Sequence, residues 1–319
     1  MNKKFMFSVV VLMFILTLTL VGCNTNNNND EFNSDASIKV YTRDTTSGTR
    51  DGFFSKIDFE DAVKDNSALV EGYSQVESNG SMVNAVKTDE YGIGYISLAS
   101  LDSSGCKALI YNGVMPSVEN VNNSTYALTR NFNYLTRAEG TYSSSDKEAI
   151  VTAFVAYLET KDAKTIIQNN DGILSMESSD PTWEDIKDLY PISSKDNSDV
   201  TVRFGGSTSV EKIAKALSSD FSSKCGNFVA EHEHTGSGDA YKRTQGAQKA
   251  ESVALDIGFA SREFKLTDSE PALDTTYGKI CTDAIVAVVN TENPLTNVDT
   301  QTLVDIYNGT ITIWSEVQE

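Results

Sequence analysis

Apolar residues recur at helical spacing in two stretches of this chain. Val210, Ile213, Ala214, Leu217 and Phe221 form one stripe, interrupted by Glu211, Lys212, Lys215 and Asp220. Ala149, Ile150, Ala153, Phe154, Ala156, Tyr157 and Leu158 form another, opened by the capping cluster Ser143-Ser144-Ser145-Asp146. Asp180-Pro181-Thr182-Trp183-Glu184 reads as a further helix start, with Asp180 as the cap and proline at its first position. Strand-like runs are Ile38–Tyr41, Gly92–Ile96, Val200–Phe204 and Ala284–Val289. The last is apolar on both faces, as buried strands are. Strands alternating with helices predict an α/β architecture, read as two lobes. Asp188 to Asp199 is polar, carries Pro191 and reads as a connector.

Three of the strand-to-helix joints share an unusual composition. Ile38–Tyr41 leads into Arg43-Asp44-Thr45-Thr46-Ser47-Gly48-Thr49-Arg50, after which Asp51 to Ile57 looks helical. Val200–Phe204 leads into Gly206-Ser207-Thr208-Ser209 and then the first stripe. Phe228-Val229-Ala230 leads into Thr235-Gly236-Ser237-Gly238, followed by a helix over 240–250. Each joint offers backbone N–H groups and small hydroxyls at a helix N-terminus, and the first adds two guanidinium groups. That chemistry suits a small oxyanion. Ser207, Ser209 or Thr49 taken singly would read as an ordinary N-cap. Three such loops together carry the anion reading.

The N-terminus changes the picture of where the protein works. Lys3 and Lys4 precede an apolar run from Phe5 to Val21, and Leu20-Val21-Gly22-Cys23 matches a lipoprotein processing box. Residues 1–23 read as an export signal, with Cys23 lipidated and residues 24–35 a polar, disordered tether. The expected location is the extracytoplasmic face of a bacterial membrane. The formal charge is −19, from 26 basic and 45 acidic residues. Such a surface repels nucleic acid and anionic headgroups, so neither is a partner. Beyond Cys23 stand Cys106, Cys225 and Cys281, none in a C-x-x-C pair. One disulfide with a spare thiol and three thiols both fit. Glu231-His232-Glu233-His234 would place both histidines on one strand face, but without a placed third ligand no metal is assigned. No cofactor is assigned, and no nucleophile–base arrangement suggests an enzyme.

Together these segments resemble the phosphate-binding proteins of bacterial phosphate ABC importers. The resemblance rests on Thr42 to Phe53, Gly92 to Leu98, Gly206-Ser207-Thr208-Ser209-Val210 and Thr235-Gly236-Ser237-Gly238. It extends through Asp256-Ile257-Gly258-Phe259-Ala260-Ser261-Arg262-Glu263, Asp283 to Asn290 and Ile306 to Val317. In the family's usual order the Gly-Ser-Thr-Ser segment comes first. Here the later half leads, which implies a circular permutation with residues 177–199 as a surface connector. A fragment of a tandem gene is the alternative.

The resemblance implies a two-lobed, periplasmic-binding-protein-like fold with a hinge between two open α/β sheets. The crossing segments fall near Leu128–Asn133 and Ile285–Asn290. One lobe would span 36–128 plus 289–319 and carry the Arg/Ser-Gly-Thr loop; residues 129–288 would form the other. By match, phosphate would be held by Arg43, Ser47, Gly48, Thr49, Thr208, Ser209, Ser237 and, more weakly, Arg262. Arg262 stands where some members have an acid, and Asp44 would fix Arg43. The implied partners are inorganic phosphate and the permease subunits of an ABC importer, with the protein a lipid-anchored monomer. A surface adhesion or sensing protein of the same fold, or a binder of sulfate, is the alternative.

Overall fold

The computed structural model describes residues 32–318. The proposed signal, Cys23 and most of the proposed tether lie outside them. Phe32 packs its ring against Tyr91 and Trp314, and Ser37 bridges Ile313. Residues 32–34, assigned to the tether in the sequence, are thus held to the fold by the Phe32 ring and by Ser34 O, which accepts from Ser315 N at 2.7 Å.

In chain order the strands are β1 (Lys39–Arg43), β2 (Ser74–Val76), β3 (Gly92–Ser97), β4 (Lys107–Ala108), β5 (Ile110–Tyr111), β6 (Thr129–Thr136), β7 (Thr201–Gly206), β8 (Val229–His234), β9 (Ile257–Ala260), β10 (Tyr277–Val289) and β11 (Asn297–Val298). The helices are α1 (Gly48–Lys56), α2 (Asp61–Lys64), α3 (Asn79–Thr88), α4 (Leu101–Ser104), α5 (Val118–Asn122), α6 (Ser145–Tyr157), α7 (Lys161–Asn169), α8 (Trp183–Ile186), α9 (Glu211–Lys224), α10 (Ser237–Thr244) and α11 (Thr300–Asn308).

The sheet runs β2-β1-β3-β10-β6-β9-β7-β8, with β4 beside β10. Its two ends repeat one another. β1 lies between β2 and β3, parallel to both, and β7 lies between β8 and β9 in the same way. Where two separate sheets were expected, one strand joins them. β10 is 13 residues long, enough to serve both ends. Its residues Ile285–Val289 pair antiparallel with β3, and Tyr277–Ala284 pair antiparallel with β6. The change of partner at Ala284–Ile285 meets the entry to β6, where Ile285 N donates to Leu128 O at 2.7 Å.

Each end has its own core. Phe53, Phe54, Ile93, Tyr95, Val286 and Tyr307 belong to the first, and Phe53 stacks on Tyr95 at 4.2 Å. Phe132, Phe154, Phe204, Leu217, Phe221 and Phe259 belong to the second. The two stripes read in the sequence are α9 and α6, with Ile213, Leu217, Phe221, Ile150 and Phe154 fully buried. Ser144 caps α6.

Two helices differ from their sequence reading. α8 starts at Trp183, and its cap is Thr182, not Asp180: Thr182 and Asp185 complete a reciprocal capping box. α10 ends at Thr244, because Gly246 N turns back to Tyr241 O at 2.8 Å and breaks the ladder. The connector over 177–199 is mostly exposed but not merely draped on the surface. Trp183 and Ile192 are buried in the second core, with the Trp183 ring 5.0 Å from Phe221. Buried Asn197 ties it down by donating to Ile192 O and Cys225 O. Cys106, Cys225 and Cys281 are free thiols; burial pushes Cys225 up to about 11, and Cys281 higher. Among the described residues no helix is long and apolar enough to cross a membrane.

Candidate functional site

Both repeats of the sheet have a switch point, where chains leave neighbouring strands in opposite directions. Open α/β sheets bind ligands there. β1 ends at Arg43 and turns through Ser47, whose hydroxyl caps α1 by accepting from Thr49 N at 3.2 Å and Arg50 N at 3.4 Å. β7 ends at Gly206 and turns through Ser207, whose hydroxyl accepts from Ser209 N at 3.2 Å. β8 feeds α10 with Ser237 at its first position.

The two switch points meet. Thr49 Oγ1 and Ser209 Oγ lie 2.8 Å apart, although 160 positions separate them. Gly238 N donates to Thr46 O, and Asn79 N donates to Thr208 Oγ1, both at 3.2 Å. Gly48 sits so close to the opposite loop that a Cβ there would fall 2.5 Å from Ser237 Oγ and 2.7 Å from Ser261 Oγ. Gly206 has φ +100°, a conformation only glycine adopts readily, with Phe259 O beneath it. Ser47, Thr49, Ser209, Ser237 and Ser261 are all buried. Thr208 is half-buried, and its hydroxyl accepts from Asn79 N while keeping its own proton to donate.

Four guanidinium groups stand near this junction, and their partners sort them. Arg43 is 1% exposed; its Nη2 donates to Glu77 O at 2.8 Å, while its buried Nε has no partner. Tyr95 seats the same residue from behind, its hydroxyl accepting from Arg43 N at 3.1 Å. Asp44 does not fix Arg43. Its Oδ1 accepts from Thr46 N at 2.8 Å and from the Thr46 hydroxyl. Arg50 is fully buried and donates to Ala62 O, Arg43 O and Asn66 Oδ1, so it braces the loop from within. Arg262 is spent in a bidentate pair with Glu270, both bonds at 2.8 Å, with a third bond to Glu263 O. That pairing turns its charge away from the hydroxyl cluster and corrects its place among the anion ligands.

The fourth, Arg130, escaped the sequence reading. It lies on β6, opposite Asp283 on β10, and its guanidinium pairs with that carboxylate at 2.9 Å. Its Nη1 donates to Ser261 Oγ at 3.3 Å. Ser261 N donates to Ser237 Oγ at 3.0 Å, and Ser97 Oγ donates to Asp283 at 2.7 Å. Asn79 Oδ1 accepts from Ser97 N. Asn79, Ser97, Arg130, Ser261 and Asp283 thus link both ends of the sheet to the cluster. Burial pulls Arg130 down and Asp283 up from their ordinary values, each opposed by the other's charge. The sequence signal for Arg130 was only its place within the crossing segment Leu128–Asn133 that the resemblance implies. A cavity of about 560 Å³ borders the junction, lined among others by Asp51, Lys56, Arg130, Arg262 and Lys265. Two of these lining residues, Lys265 and Asp51, pair at 3.2 Å.

His232 and His234 do share a face of β8, but they bind each other. His232 Nδ1 lies 3.1 Å from His234 Nε2, and His234 Nδ1 lies 3.0 Å from Ser207 O. The carbonyl only accepts, so His234 Nδ1 carries the proton, His234 Nε2 accepts from His232 Nδ1, and His232 Nε2 accepts from the Ser218 hydroxyl. Burial lowers His232 to about 4 and His234 as well, so both rings are neutral at neutral pH. Among the described residues no group of three or more His, Cys, Asp or Glu could hold a metal ion. Ser218 beside His232 is 1% exposed and has no carboxylate behind it, so it offers no nucleophile to a substrate.

Residues 192–319 match the PBP superfamily domain. Two proteins named phosphate-binding protein PstS 2, from Streptococcus agalactiae serotype V and Streptococcus pneumoniae serotype 4, are each 27% identical to this chain over 304 residues. The matches cover 94% of this chain and 93% and 94% of theirs. A match running nearly end to end on both partners leaves no room for the blocks to stand in another order in those relatives. A solved phosphate-binding protein of a phosphate ABC transporter, from Streptococcus pneumoniae TIGR4, superposes with a TM-score of 0.61. It is 25% identical, and the match covers 89% of this chain and all of that one. The chain has the two-lobed α/β fold of these binding proteins, with the hydroxyl cluster at the junction of its two ends.

Proposed function

We propose that this protein captures inorganic phosphate between its two lobes and delivers it to the permease subunits of an ABC importer. The lobes are residues 36–128 with 289–319, and residues 129–288. The ligand set is Arg43, Ser47, Gly48, Thr49, Thr208, Ser209 and Ser237, joined by Ser261. One observation carries the reading: a buried guanidinium with an unpartnered Nε ends β1, immediately before the loop whose Thr49 hydroxyl meets the Ser209 hydroxyl of the β7 loop. A desolvated cation aimed into donor groups is stabilised by an anion, and charge-assisted bonds are about twice as strong as neutral ones. The likeness to the streptococcal phosphate-binding proteins supports the choice of phosphate. It also supports a binding role without catalysis.

Calorimetry of the purified protein with phosphate, arsenate and sulfate tests this. Saturable binding of phosphate at one per chain is the expected result. Absence of heat with every one of these anions would remove the proposal.

We place the protein on the outer face of the membrane, held by lipid on Cys23. Replacing Cys23 with Ala releases it from the membrane fraction into the medium, read by immunoblot of washed membranes and supernatant. Retention in the membranes would point to an uncleaved hydrophobic anchor.

A further inference from the structure

Two histidines outside the ligand set are bonded to the loop that carries part of it. β8 runs parallel to β7 in a register that sets His232 beside Phe204 and His234 beside Gly206. Side chains two apart on a strand share a face, so both rings lie on one side of the sheet. His232 stacks on Phe204 with centroids 5.1 Å apart. Gly206 has no side chain to fill its place on that face, and the His234 ring stacks on Phe259 of β9, beyond it, at 6.1 Å. Glu231 and Glu233 alternate to the other face, where Arg203 and Arg243 pair with them.

The hydrogen bonds of this row run in one direction. The Ser218 hydroxyl donates to His232 Nε2 at 2.9 Å, His232 Nδ1 to His234 Nε2 at 3.1 Å, and His234 Nδ1 to Ser207 O at 3.0 Å. All four ring nitrogens are thereby used, and the last donor ends on the backbone of the anion loop. Ser207 is held at its other side as well: Ser207 N donates to Phe259 O at 2.7 Å, while Val210 N reaches Ser207 O at 3.3 Å from within the turn. Among the described residues no peptide bond is cis. In a trans peptide the C=O and the following N–H point in opposite directions. A Ser207 carbonyl drawn toward His234 therefore turns the Thr208 N–H away from the histidines.

We propose that His234, set by His232, is a positioning residue for the anion site: its bond to Ser207 O aims the Thr208 N–H, and with it the turn carrying Thr208 and Ser209, at the bound phosphate. This rests on the phosphate reading above. The Ser209 hydroxyl on that turn meets Thr49 of the β1–α1 loop at 2.8 Å, so a peptide that swung would disturb the junction too. A hydrogen bond depends on direction as well as distance and weakens steeply once misaligned. Histidines that only packed the edge of the sheet could be replaced by any flat ring without effect on the ligand.

Two substitutions at one position separate these roles. His234→Asn loses the ring and its stacking on Phe259, but its amide nitrogen can take the place of Nδ1 and donate to Ser207 O. His234→Phe keeps a flat ring against Phe259 and loses the donor. Titration calorimetry with inorganic phosphate on the parent and both variants, with thermal unfolding of each, is the experiment. The Asn variant is expected to bind within about threefold of the parent, and the Phe variant about tenfold more weakly, whichever of the two is the more stable. Should the Phe variant not unfold cooperatively, His234→Leu, which lacks ring and donor alike, takes its place with the same expected loss. A Phe or Leu variant that binds within threefold of the parent overturns the proposal. So does an equal loss in the Asn and Phe variants, because neither the ring alone nor the donor alone would then account for the affinity. A parent that binds no phosphate would instead overturn the phosphate reading itself, a result independent of the variants.

Discussion

Replacing Arg43 with Ala weakens phosphate binding by at least about 2 kcal/mol, roughly thirtyfold in Kd, and leaves the fold intact. The argument starts from where this side chain sits. β1 is wedged between β2 and β3 and delivers Arg43 at the switch point, and Tyr95 fixes its backbone by accepting from Arg43 N. Among the described residues one side-chain bond, to Glu77 O, holds the guanidinium, and Nε has no partner. Removing a buried cation with so few partners costs little in stability, because its desolvation is relieved at the same time. A ligand anion, by contrast, loses its direct charged donor. Arg43→Lys keeps the charge but not the planar fork, so its affinity falls between parent and alanine variant. Titration calorimetry reads the affinities, and an unchanged thermal midpoint shows that the fold survived. A variant binding phosphate as tightly as the parent would place the site elsewhere.

The parts of this site that were legible in the sequence are those made by local rules. Ser47 before Gly48-Thr49, and Ser207 before Ser209, announce helix starts through side chains that cap their own backbone, which needs no knowledge of the fold. The α9 stripe was legible for the same reason, since Ile213, Leu217 and Phe221 share a face at helical spacing. What was not legible depends on register. Arg130 and Asp283 are 153 positions apart and become neighbours only because β6 and β10 pair with those two residues opposite. Arg262 misled in the opposite sense, since its partner Glu270 lies in a loop whose path no periodicity describes. The two expected sheets became one because a 13-residue strand can carry two pairing partners in succession. A hydropathy pattern reports only that such a strand is buried.

Replacing Arg130 with Met lowers stability by about 3–5 kcal/mol, a fall in Tm of roughly 5–8 °C for a chain of this size. The carboxylate of Asp283 is 1% exposed, and with Arg130 gone it would keep only neutral donors, the Ser97 hydroxyl and the Ala284 amide, among the described residues. An unpaired buried carboxylate bears the full desolvation penalty, and Met fills the volume without relieving it. Replacing both partners, Arg130→Met with Asp283→Leu, removes the orphaned charge and recovers much of the loss. Thermal and urea unfolding of the single and double variants measure this, and a single variant as stable as the parent would show that water already reaches the pair. The location gives the result a second meaning. Arg130 and Asp283 lie on β6 and β10, where β10 passes from pairing with β6 to pairing with β3, and Ser97 on β3 and Ser261 after β9 extend the same chain of bonds toward the two ends of the sheet. The double variant therefore separates two roles. If stability returns but phosphate affinity does not, the pair also holds Ser261 and Ser237 in the geometry that binds the anion. If both return together, the pair only welds the crossing strands, and the hydroxyl cluster positions itself.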